Sequence, residues 1–281
     1  MAKNEKRNAE EEVSNVPAET GGTAVAASTP LADMFLEDAG AGLQNITLAD
    51  TRIPTLKILQ GLSPELAEGD PKYIEGAKQG MLMNSVTRKL YDGKEGIMAI
   101  PVEFNKEWVE WRPRQAGGGF VAAYDTREDA IAQMKEGNEI QETAMHYLLY
   151  RDENGHWVPL VLQAKSTLLG FSRSWNAMMQ SLRIEVQGRA VQAPSFAAIY
   201  NLSTARQSND RGSWYTLVAE RVSMVEDPNL YASAKEFRAL VQGGGLHGRI
   251  DRESDGGVAG GSPRTTPSDR DSQTGEELPA M

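Results

Sequence analysis

Asn154-Gly155 lies between His146-Tyr-Leu-Leu-Tyr150 and His156-Trp-Val-Pro-Leu-Val-Leu162, two runs rich in β-branched, aromatic and aliphatic residues. Asn-Gly supplies the positive φ that a tight hairpin turn needs, so the pair predicts two long antiparallel strands at the centre of the chain. Further runs of the same kind recur at Gly80 to Val86, Gly96 to Phe104, Trp108 to Arg112, Phe120 to Tyr124, Phe196 to Leu202 and Ser213 to Val222, with Asp92-Gly93 as a second hairpin signal. So many short strands around few helices predict a mainly β, α+β domain: an OB-like small β-barrel or a curled antiparallel sheet with inserted helices.

Three helices interrupt the strands. Asp125 to Met134 opens with a capping residue and acidic side chains, both of which favour helix initiation. From Ser166 or Thr167 to Leu182, apolar residues recur at Leu168, Phe171, Trp175, Met178, Met179 and Leu182, a single helical stripe that places Trp175 in the core. Asp227-Pro228 starts the third, through Tyr231, Ala234, Phe237, Leu240 and Val241.

Charge divides the chain differently. Met1 to Asp50 carries three basic and nine acidic side chains, Ile250 to Met281 three and seven, and Thr51 to Arg249 twenty-three of each, so the net charge of −10 belongs to the ends. Their composition cannot bury enough apolar surface to offset ordering entropy. The expected division is a mostly disordered acidic region over 1–50, a folded nucleic-acid-binding domain over 51–245, and a disordered acidic tail over 246–281. Leu31-Ala-Asp-Met-Phe-Leu36 is an apolar island fit for one or two helical turns.

The absence of cysteine removes disulfides, thiol nucleophiles and the usual zinc sites, and His146, His156 and His247 lack metal-binding spacing. No metal or other cofactor is expected. The N-terminus lacks the apolar core of a signal peptide and no run is long enough to span a bilayer, which points to the cytoplasm and away from a membrane. Gly243-Gly-Gly245-Leu-His-Gly248 spells a dinucleotide fingerprint but follows a helix, where it cannot cradle a pyrophosphate. Asp152 with Gln163-Ala-Lys165 approximates a magnesium nuclease pattern, an alternative that predicts metal-dependent strand cleavage.

Binding chemistry is better represented. Between His156 and Met224, Lys165, Arg173, Arg183, Arg189, Arg206, Arg211 and Arg221 face only Glu185, Asp210 and Glu220. Arg173, Asn176, Gln180 and Arg183 share the outward side of the second helix, with Lys165 just ahead of it. A second cluster, Trp108 to Phe120, places two tryptophans and Arg112 and Arg114 beside a triple-glycine loop. Cations neutralise phosphates while flat rings stack on unpaired bases. The candidate contact set is therefore Trp108, Arg112, Arg114, Phe120, Lys165, Arg173, Arg183, Arg206, Arg211, Trp214 and Tyr215, with no catalytic residue. The remaining alternative is a structural or regulatory β domain that binds protein.

At Ser63-Pro-Glu-Leu66, Tyr73-Ile-Glu-Gly-Ala-Lys-Gln-Gly80, Tyr91-Asp-Gly-Lys-Glu-Gly-Ile97 and Pro159-Leu-Val-Leu-Gln-Ala-Lys-Ser166 through Phe171-Ser-Arg-Ser-Trp-Asn176, the chain resembles a group of tailed-bacteriophage single-stranded DNA-binding proteins. The resemblance covers roughly residues 50 to 225. It implies an OB-type core, coating of exposed DNA during phage replication or recombination in an infected bacterial host, and a C-terminal acidic tail that recruits replication or recombination proteins. Here the tail mixes Arg264 and Arg270 among its acids and ends in Met281 where the best-known bacterial form has phenylalanine.

Overall fold

A computed structural model describes residues 31–47, 50–210, 212–244 and 250 of the chain. Two units separate near Asn45. The first carries helix α1 (Leu31–Glu37), the turns expected of the apolar island; Leu31, Met34, Phe35 and Leu36 all stand exposed.

The second unit is built on an antiparallel sheet of six strands: β4 (Ile97–Trp111), β5 (Phe120–Tyr124), β6 (Glu139–Arg151), β7 (Trp157–Lys165), β10 (Ala198–Asn209) and β11 (Gly212–Met224). Its order is β11-β10-β4-β6-β7, with β5 paired to the distal part of β4. The path stays open. Of the two forms the sequence leaves, the antiparallel sheet forms and the closed barrel does not. Closure would need β7 to meet β11, whereas the outer edge of β7 takes Pro54 and Thr55 instead, through Val161 N–H to the Pro54 carbonyl at 2.9 Å. That segment leads into a small sheet of β1 (Leu56–Ile58), β2 (Leu82–Asn84) and β3 (Leu90–Tyr91). A buried ion pair, Lys57 to Glu65 at 2.7 Å, ties β1 to the turn that follows it.

Strand alternation sorts the sheet into two cores. Ile97, Ala99, Leu148, Tyr150, Leu160, Leu162, Tyr200 and Leu202 face α3 (Leu168–Ser181) and the small sheet. Ile100, Val102, Met145, Tyr147, Leu149 and Val161 face α4 (Pro228–Gln242), which contributes Ala234, Phe237 and Val241. Burial on both faces explains why the middle strands read as nearly continuous apolar runs. A bulge between Pro101 and Glu103 shifts the pairing of β4 with β6. One extra residue reverses which side chains face which core, so β4 changes character there.

The central hairpin pairs as expected, Tyr147 opposite Val161 and Arg151 opposite Trp157. Its turn is wider than two residues. Asp152 N–H donates to the His156 carbonyl at 2.8 Å, its carboxylate accepts from Asn154 and His156 N–H, and only Gly155 has positive φ. The expected Asp92-Gly93 hairpin does not form: β3 pairs with β2, not with β4. Gly93 is needed there for another reason, because a Cβ would collide with the Gly80 carbonyl and the Thr204 hydroxyl.

A two-stranded ribbon that the sequence reading did not anticipate, β8 (Arg183–Val186) and β9 (Arg189–Gln192), follows α3 and turns at Gln187 and Gly188, both with positive φ. Helix α2 (Arg127–Gln133) is capped by Thr126, whose hydroxyl accepts from Asp129 N–H at 3.1 Å; Asp227 caps α4 likewise. No helix among the described residues is long and apolar enough to cross a membrane.

Candidate functional site

The distal end of β4 gathers aromatic rings and cations. Trp111 meets Phe120 edge to face, with centroids 6.1 Å apart, and Lys165 Nζ lies 4.8 Å from the Trp111 ring centroid. The Arg127 guanidinium sits 5.9 Å from the Trp108 ring. Both tryptophans are half-buried, so neither fills a core as Trp175 does. Cation–ring contacts of this kind are worth on the order of 1 kcal/mol and hold a ring in place while leaving an edge accessible. Phe120 is exposed, as is Arg112, whose backbone N–H closes the glycine loop on the Gly119 carbonyl at 3.0 Å. Arg114 lies in the 3-10 turn of that loop, Arg114–Ala116.

Glu110 anchors this end. Its buried carboxylate accepts from the Tyr124 hydroxyl at 2.8 Å, Lys135 N–H at 2.9 Å and the Asn138 amide at 2.5 Å. Burial pushes its pKa up, but the donors outweigh burial and hold the carboxyl below its ordinary range. The connection from α2 to β6 is thereby fixed over the strand that presents Trp108.

Lys165 ends β7, and α3 begins three residues later at Leu168. Helix α3 carries no Asp or Glu, and no acid occurs between Glu153 and Glu185. Its buried stripe follows from Trp175, which stacks on His146 at 5.0 Å and meets Phe171 and Tyr200, so Arg173 and Gln180 emerge on the solvent side. Asn176, expected on that side, is half-buried. Arg183 lies past the helix, where its guanidinium donates to the Gln180 and Leu182 carbonyls at 2.6 and 3.2 Å. It closes the helix C-terminus, where a cation is favoured, while remaining exposed. Arg189 on the ribbon and Arg221, in register with Tyr200 on β11, are exposed as well.

The candidates on the β10–β11 hairpin belong elsewhere. Strand β10 pairs with β4 at Ile97 to Ala99, and Thr204 N–H then reaches the Gly93 carbonyl, so the hairpin tip points away from β5. Ala99 to Trp108 is about 30 Å of strand. Tyr215 packs against the α3-side core and the bare face of Gly80, and the Gln60 side chain brackets its backbone with bonds of 2.8 and 2.9 Å. Trp214 is half-buried, and Arg206 donates to the Ser213 hydroxyl at 3.0 Å. Arg211 lies outside the described residues. The structure thus brings together Trp111, Phe120 and Lys165 at one end, sets Trp108 with Arg127 on the opposite face of the same strand, continues to Arg173 and Arg183, and leaves Arg206, Trp214 and Tyr215 at the other end.

Arg189 and Arg221 join the surface, and Arg127 the opposite face, without having been proposed as contacts. Arg127 opens a helix whose placement over Trp108 no local pattern reveals; Arg189 and Arg221 stood out only as part of the regional charge excess. The nuclease constellation does not assemble: Asp152 sits in the hairpin turn and Lys165 at the far end of β7, about 25 Å of strand away. Among the described residues no group of three His, Cys, Asp or Glu is placed to hold a metal ion. His146, with Nε2 2.8 Å from the Ser172 hydroxyl, is buried with it, and desolvation pushes its pKa down to about 3. A sealed imidazole of that kind is structural.

No curated protein and no solved structure matches the chain. Residues 21–247, most of its length, match the model of a family described as Pam3 phage gp34-like protein. The bacteriophage kinship that the sequence suggests is borne out at that level: the chain belongs to the Pam3 phage gp34-like protein family.

Proposed function

We propose that this phage protein binds single-stranded DNA, without cleaving it and without a cofactor, along a surface running from Trp111, Phe120 and Lys165 over the solvent side of α3 to Arg183 and Arg189. The observation that carries the reading is the acid-free solvent side of α3, framed by exposed arginines and beginning beside a cluster of partly exposed rings. On this reading Arg112, Lys165, Arg173, Arg183 and Arg189 neutralise phosphates. Phe120 and the accessible edge of Trp111 offer stacking platforms that any base satisfies, whereas Trp108, held by Arg127 on the other face of β4, lies off this path. Binding weakens steeply with salt, because displaced counterions drive it.

The acidic ends oppose this charge. They compete for the same surface when DNA is absent, and the C-terminal one also offers replication or recombination proteins a docking tail. Removing residues 251–281 therefore raises affinity, most at low salt.

Titrating the chain's tryptophan fluorescence with oligothymidylate at two salt concentrations tests the reading. Quenching that saturates at low salt and retreats at high salt is expected, with Arg173→Glu and Arg189→Glu each weakening binding severalfold. Unmoved emission together with no retention of labelled oligonucleotide overturns it. A protein-binding role within the phage is the second reading, favoured by the exposed Leu31, Met34, Phe35 and Leu36 on α1. It predicts no oligonucleotide binding at any salt concentration.

A further inference from the structure

The ribbon β8–β9 is the least covered strand pair of the second unit. Every residue from Arg183 to Gln192 is exposed except half-buried Ile184. Pairing sets Ile184 opposite Val191, Glu185 opposite Ala190, Arg183 opposite Gln192 and Val186 opposite Arg189. One side of the ribbon therefore presents Ile184, Val186 and Val191 with Arg189 beside the turn, and the other Arg183, Glu185, Ala190 and Gln192. Val186 and Val191 are 46% and 40% exposed. Two strands alone are marginal in water, and an amphipathic pair gains most by adding strands. No strand among the described residues pairs with the outer edge of either.

Natural edges are blocked by proline, bulges or repelling charges. Strand β8 has none of the three: its sequence Arg183-Ile-Glu-Val186 carries one charge of each sign, two positions apart. We propose that the protein forms a two-fold dimer in which β8 pairs antiparallel, edge to edge, with β8 of a second copy, centred on Ile184. In that register Ile184 meets its own equivalent, and Arg183 of each copy lies directly opposite Glu185 of the other, on the same face. The opposite face acquires an aliphatic row of Val191, Ile184, Ile184 and Val191 across four strands. Such cross-strand pairs are what stabilise a sheet. Centring on Glu185 instead would set two glutamates against each other, so charge selects the first register. The outer edge of β9 carries Arg189 and no acid, and so lacks this self-complementarity. The dimer needs no nucleic acid to form, although it shares Arg183 with the proposed phosphate-contacting set, and it places the α3 surfaces of two copies on one assembly.

Sedimentation of the full chain over a range of concentrations tests it. A monomer–dimer equilibrium is expected, its midpoint raised about tenfold or more by Glu185→Arg, which sets like charges opposite one another at two places. Combining Arg183→Glu with Glu185→Arg restores dimerisation, since the pairs re-form with signs exchanged. Because Arg183 also closes α3, thermal melts accompany this variant. A second arm avoids that dependence: the chain has no cysteine, so Ile184→Cys should give a single symmetric disulfide dimer on mild oxidation, and Val191→Cys should not. A monomer at every concentration, failure of a folded double variant to recover, or equal cross-linking at positions 184 and 191 overturns the proposal.

Discussion

Ile97 to Val102 and Glu103 to Trp111 are the two parts of one strand, yet they live in different environments. The first is sandwiched between α3 and α4, with Ile97, Ala99, Ile100 and Val102 almost wholly buried. The second keeps its backbone pairing with β6 but buries carboxylates, Glu107 and Glu110, and holds its tryptophans against cations. Apolar area stabilises the near end, at roughly 25 cal/mol per Å² removed from water. At the far end the apolar contribution shrinks to Val109, the Glu110 carboxylate is held by three donors, and the half-buried rings and cations keep exposed surface. The bulge at Val102 marks where one regime gives way to the other.

The contrast is sharpest at Trp175. Removing its side chain should cost about 4 kcal/mol in denaturant unfolding, because Trp175 fills the contact between α3 and the sheet. Trp108→Ala should cost less than half as much, and equal losses would erase the distinction between the two ends.

Acid should weaken the α3 contact next, through His146 beneath Trp175. His146 titrates at about 3 when folded and near its ordinary 6.5 when unfolded, so below 6.5 the unfolded chain binds the extra proton. Stability is therefore full above pH 6.5 and falls as pH drops toward 3, by about 2 kcal/mol over the first two pH units. Urea melts from pH 7 to 4.5 should show this slope, and His146→Gln should flatten it. Glu110 acts in a lower window: with its pKa held below the ordinary 4.5, its contribution is present above that value and is lost as pH falls through the folded one.

Glu110→Ala should cost somewhat less, about 1.5 kcal/mol, by leaving three donors without their acceptor. Hydrogen exchange should locate the loss at Lys135 N–H and the start of β6, leaving the α3 and α4 cores protected. Smallest of all, Phe120→Ala should change folding stability by about 0.5 kcal/mol or less, since the ring is already exposed. Its consequence should show in oligothymidylate affinity, and a variant that binds as tightly as the parent removes Phe120 from the stacking surface.

Much of this was legible locally. The stripe through Leu168, Phe171 and Trp175 foretold α3 and its buried tryptophan, and the runs flanking Asn154-Gly155 foretold the central hairpin. Other features depended on partners far along the chain. Tyr215 reads as a ring beside arginines and becomes a packing residue only because Gly80, distant in sequence, leaves room for it. Gly93 reads as a turn residue and serves a close approach of backbones. Ribbon β8–β9 leaves no mark in the sequence because four-residue strands with mixed charge give no strong period.

Periodicity, capping residues and the absence of cysteine determined by themselves that this chain makes antiparallel strands with three helices inserted among them and no disulfide framework. Those properties depend on neighbours a few positions apart, and neighbours are written in the sequence. Only the tertiary structure decided that the sheet stays open, that β10 and β5 share one edge of β4 at opposite ends, and hence that the described candidate residues divide between two ends of that sheet. Strand order and register are set by contacts a hundred residues apart, where many pairings satisfy the same local pattern and packing selects one.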